Sequence, residues 1–86
     1  MKNKLLTGKE LAAILKKDAV KALNDYDMEH LSEAIYMLRA AHYCDTGRVS
    51  EASMIIDLMP SLGDLVSEQA YNQLRTIWDV QRIDQF

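Results

Sequence analysis

From Leu11 to Trp78 the apolar residues of this 86-residue chain recur at steps of three and four, interrupted at only three places. That spacing is the signature of amphipathic helices, because residues three and four apart share one helical face. With three glycines and one proline, the chain also lacks material for the many tight turns of a β fold. The expectation is an all-α fold: one domain over 1–86, with helices at about 8–24, 28–45, 49–59 and 65–82. Short connections between helices imply antiparallel hairpins.

Each boundary has a local cause. Thr7-Gly8-Lys9-Glu10 has the form of a capping box, in which a hydroxyl and a glutamate satisfy each other's backbone N–H groups. Behind it, Leu11, Ile14, Leu15, Ala19, Ala22, Leu23 and Tyr26 form the first apolar stripe. Asn24-Asp25-Tyr26-Asp27 reads as a turn, with Asp27 as N-cap of the second helix. Gly47 suits the left-handed position after that helix, and Pro60-Ser61-Leu62-Gly63-Asp64 ends the third. In the third helix Ala52, Ile55, Ile56 and Met59 are expected to face inward. Val66, Ala70, Leu74, Ile77 and Trp78 share a face of the fourth.

The second helix stands apart. Leu31, Ala34, Ile35, Leu38 and Ala41 form one stripe, yet Tyr36, Met37, Ala40, Tyr43 and Cys44 make the rest apolar or amphipathic too. A helix apolar on most sides is either central or touches a partner.

The charge is uneven. Six lysines oppose only Glu10 and Asp18 in the first 21 residues, a balance of +4; four arginines oppose eleven carboxylates thereafter, a balance of −7. A basic end is compatible with an anionic partner, but an overall charge of −3 disfavours nucleic acid. A helix-turn-helix reader would have to present Arg48-Val49-Ser50-Glu51-Ala52-Ser53, whose Glu51 repels phosphate.

Chemistry is sparse. Asp25, Asp27 and Glu29 alternate as a calcium loop begins, but His30 stands where that loop needs glycine and Tyr36 where it needs glutamate. His30 and His42, twelve apart on one helix, point about 120° apart and cannot share a metal. Cys44 adjoins Asp45, a poor setting for a thiolate, and reads as a small buried hydrophobe. No phosphate-binding glycine loop or nucleophile elbow occurs. The expectation is a chain that is not an enzyme and takes no cofactor or metal. Its longest apolar runs fall short of a membrane span or signal peptide, so a cytoplasmic location is expected.

The run Glu33–Ala52 resembles one tetratricopeptide helical hairpin: Ala40 holds its small position, Tyr43 an aromatic one, Gly47 the turn, Ala52 the second small position and Ile56 the second aromatic one. Arg39 replaces its usual leucine, and Asp64 its proline. Ala34, Arg39, Gly47 and Ala52 are also spaced as in the small tetratricopeptide-like chaperones of type III secretion needle subunits (the YscG type). Those proteins hold an aggregation-prone needle protein in an apolar groove, together with a second small chaperone. The resemblance implies a protein-binding adaptor or chaperone that holds an amphipathic helix. In that register the groove presents Ala34, Met37, Ala41 and Cys44, continued by Tyr71 and Trp78. A likeness to small all-helical regulators of the YmgB type supports the alternative, a homodimeric regulator of transcription or of stress and biofilm responses. Such a regulator acts through protein contacts or DNA.

A chain this short buries only about 60–65% of the surface its unfolded form exposes. A partner or second copy is therefore expected to complete it.

Overall fold

A computed structural model describes residues 5–26 and 30–84, with side chains described for 5–24 and 30–81. Among the described residues the chain is all-α: α1 (Gly8–Tyr26), α2 (Leu31–Asp45), α3 (Val49–Leu58), a 3₁₀ turn (Pro60–Asp64) and α4 (Glu68–Asp84). No described helix is long and apolar enough to cross a membrane. Asp27 and Glu29, and with them the expected cap and most of the calcium-loop-like run, lie outside the described residues.

The capping box forms. The Glu10 backbone N–H donates to Thr7 Oγ1 at 3.1 Å, and the Thr7 N–H donates to Glu10 Oε1 at 2.8 Å. At the other end of the first hairpin α2 closes in a Schellman turn. Gly47 takes φ +81°, its N–H reaches the Cys44 carbonyl at 3.3 Å, and the Arg48 N–H reaches that of Tyr43 at 2.7 Å. The side-chain contact that usually seals this motif is apolar. Here the Arg48 guanidinium lies 5.1 Å from the Tyr43 ring centroid instead.

The start of α1 lies against the end of α2. A methyl group on Gly8 would stand 2.5 Å from the Cys44 carbonyl oxygen, and Lys9 Nζ is 3.6 Å from Asp45 Oδ1. Among the described residues this is the most extensive helix pair. Ala12, Ala19 and Ala22 of α1 and Ala34, Ala40 and Ala41 of α2 are all buried. Side chains this small let two helices approach closely, because little volume separates the backbones. Leu11, Leu15, Met37, Ile56, Leu62 and Leu74 supply the bulk of the core.

The second pair runs in opposite senses. Ser53 Oγ is 3.1 Å from Gln81 Oε1, and Arg75 Nη1 is 3.3 Å from Asp57 Oδ1, so advancing along α3 means retreating along α4.

The fourth helix begins three residues later than the sequence predicts. The Leu65 and Val66 N–H groups bond back to the Leu62 carbonyl and extend the 3₁₀ turn. Ser67 then stands just before α4. Its N–H and hydroxyl donate to Asp18 Oδ2 and Oδ1, at 2.7 and 3.1 Å. The buried carboxylate of α1 therefore caps α4, where a negative charge also suits the helix dipole.

A candidate protein-binding surface

Ala34, Met37, Ala41 and Cys44, expected to line a groove, are core residues; Met37 is 0% exposed. They fill the side of α2 that meets the rest of the chain, so in this structure none is surface. The reason is steric: the alanines permit the close approach of α1, and methionine fits the irregular space between them. Cys44 is equally enclosed, and burial pushes its thiol up to about 11, which keeps it protonated and unreactive at neutral pH. Tyr71 is half-buried with its ring over Gly63, where an added methyl would sit 3.4 Å from Cζ. Trp78 is also half-buried, and its covered Nε1–H finds no acceptor among the described residues. The six residues do not form one open face.

The open apolar face lies beside this one, turned about 120° around α2. Leu31 is 37% exposed, Ile35 44% and Leu38 43%, and exposed His42 follows one turn later. These four positions are separated by four, three and four residues, which makes a single stripe. Ile35, Leu38, Arg39, His42 and Tyr43 line a depression of about 410 Å³ in that stripe. Beside it the Arg39 guanidinium lies 5.3 Å from the Tyr36 ring centroid, an arrangement that restrains the charge. Met54 and Leu58 are likewise exposed, one turn apart on α3.

The two carboxylates of α2 itself are turned elsewhere. Glu33 is held below the usual carboxylate range, first by its own backbone N–H, then by the Ser61 hydroxyl at 3.1 Å and by His30 at 3.6 Å. Asp45 faces Lys9. The outer face of α2 is thus apolar with a cationic edge.

A second concavity, about 890 Å³, lies between Leu5 and α4. Ile77 and Val80 supply its apolar lining, and Asn72, Gln73 and Thr76 its polar part. Gln73 holds the segment before α1 with both ends of its amide. The Leu6 N–H donates to Oε1 and Nε2 donates to the Leu6 carbonyl, both at 2.8 Å.

On α1, Lys16, Lys17 and Lys21 make no ion pair among the described residues, while Asp18 is turned inward. The solvent side of α1 is therefore more cationic than the sequence count suggests. Among the described residues no group of three or more histidine, cysteine or acidic side chains is placed to hold a metal.

Sequence reasoning missed two of these features. Asp18 had a signal, since it falls on the stripe Leu11, Leu15, Asp18, Ala22, where an acid needs a buried partner. Gln73 had none: its partner is 67 residues away and is a backbone group. No protein-family model, curated protein or solved structure matches the chain.

Proposed function

We propose that this chain is a non-enzymatic adaptor or chaperone that holds an amphipathic helix of a partner protein against the outer face of α2. One observation carries the reading. Three large aliphatic side chains, Leu31, Ile35 and Leu38, stand in the open on a helix whose adjoining face is already packed. The chain's own core has no further use for them. A contiguous apolar patch with a polar edge is the usual form of a protein-docking site, and anchors at four- and three-residue spacing fit a helix.

The hairpin resemblance over Glu33–Ala52 supports the same class, with a type III secretion chaperone as its narrowest form and the cytoplasm as its workplace. The docking residues differ from those the resemblance implies, because Ala34, Met37, Ala41 and Cys44 are enclosed.

The test is site-specific photocrosslinking in living cells from a benzophenone side chain at position 35, with position 17 as control. A discrete adduct from position 35 alone, identified as a helical segment of another protein, is expected. Equal adducts from both positions, or none, would overturn the reading.

A second reading is a homodimeric regulator that contacts DNA. It draws on Lys16, Lys17 and Lys21 of α1, which make no ion pair among the described residues. An adduct of the chain with itself from position 35, together with a salt-dependent shift of duplex DNA, would favour it.

A further inference from the structure

We infer that the outer face of α2 is one half of a two-helix, knobs-into-holes seam, and that it takes a partner helix edged with carboxylates. This rests on the adaptor reading and adds the partner's geometry and charge.

The geometry comes from the depression. Ile35, Leu38, Arg39 and His42 line it. They occupy positions i, i+3, i+4 and i+7, the four-residue hole that receives one side chain from a facing helix in a coiled coil. The stripe extends that register in both directions, with leucine at 31 and 38 alternating with isoleucine at 35 and histidine at 42. In a heptad, Ile35 and His42 are then a positions and Leu31 and Leu38 are d positions. β-branched a and leucine d side chains favour two helices over three or four. Tyr43 closes the end of the hole nearest the Schellman turn.

The charge comes from the flanks. On one side the g positions are Ala34 and Ala41, both buried, so a partner cannot reach them. On the other side the e positions are Ser32 and Arg39, both exposed. The partner's charged edge therefore meets Arg39, which is already held over Tyr36. Among the described residues neither carboxylate of α2 competes for it, since Glu33 is turned to Ser61 and Asp45 to Lys9. A second copy would bring its own Arg39 to this edge and, among the described residues, offer no acid in return. Opposite charge favours a different chain, and like charge disfavours self-pairing.

The probes are two fluorescent synthetic peptides of about three heptads, with isoleucine at a and leucine at d. One carries glutamate at e and g, the other lysine. Fluorescence anisotropy with the full chain is expected to show the glutamate peptide binding about fivefold more tightly than the lysine peptide. Arg39→Glu reverses that order. Leu38→Asp abolishes both interactions with the helical circular-dichroism spectrum unchanged, and Ile35→Lys serves as a second variant should Leu38→Asp unfold.

Equal affinity for the two peptides, no effect of Arg39→Glu, or no binding of either peptide would overturn the inference. So would sedimentation equilibrium showing self-association of the chain that Leu38→Asp removes, because a second copy would then be the occupant. If the peptides fail while position 35 still crosslinks to another protein, the adaptor reading stands and only the seam falls. Loss of that adduct as well removes both.

Discussion

The apolar residues on the buried and exposed sides of α2 differ in side-chain size. Ala34, Ala40, Ala41, Cys44 and Met37 face inward, whereas Leu31, Ile35, Leu38 and Tyr36 face outward. A rule that sorts residues by hydrophobicity alone would have placed the larger aliphatic side chains inside. Packing decides otherwise. The inner face must let α1 come close, and alanine meets that demand where leucine would hold the helices apart. The large side chains are left for a surface that still has room.

The comparison can be broken by treating equivalent substitutions on the two faces. Met37→Ala removes most of a fully buried side chain from between α2 and the core, and about 2–5 kcal/mol of stability should be lost. Urea unfolding followed by circular dichroism measures it. Gly8→Ala probes the close approach at the end of the same interface. The added methyl meets a backbone carbonyl that cannot rotate away, so a loss of about 1–3 kcal/mol is expected in the same assay.

Cys44 tests enclosure by pH. Its folded pKa lies above that of an unfolded thiol, so the unfolded chain releases this proton first as pH rises. Stability from this group is therefore constant below about pH 8.5 and declines as pH climbs toward the folded value. Cys44→Ala should flatten that alkaline decline, and thiol labelling of the native chain at pH 8 should proceed only as fast as the chain opens. Fast labelling of the folded protein would show that the inner face is not closed. The smallest effect belongs to the outer face: Leu38→Ala should change stability by no more than about 0.5 kcal/mol. A loss as large as that of Met37→Ala would erase the distinction between the faces.

Much of the helical plan was legible because its causes are local. Thr7 and Glu10 announce a helix start by residue type and spacing, and Gly47 marks a stop because few other residues accept φ +81°. The late start of α4 was not legible, since it depends on Asp18, a residue 49 positions from Ser67. Orientation of α2 was legible only in part. Its periodicity supports two apolar stripes equally, and the choice between them is made by the alanines of α1, which lie on another segment. The candidate groove came from the tetratricopeptide register, which presents Ala34, Met37, Ala41 and Cys44, and here those four side chains are enclosed. Leu31, Ile35 and Leu38 were visible as part of one stripe, but periodicity alone left open whether that stripe is central or touches a partner.

The link between Asp18 and Ser67 also has a bearing on the order of assembly. Helices α1 and α2, and helices α3 and α4, are neighbours along the chain, so each pair meets after closing a short loop. The carboxylate that caps α4 joins the first pair to the second across 49 positions, and longer closures cost more chain entropy. The cap is therefore expected to form late on the folding route. Removing it with Asp18→Ala is expected to hasten unfolding while leaving the refolding rate nearly unchanged. That result would make one aspartate on the first helix a clasp that sets how long the finished chain stays closed.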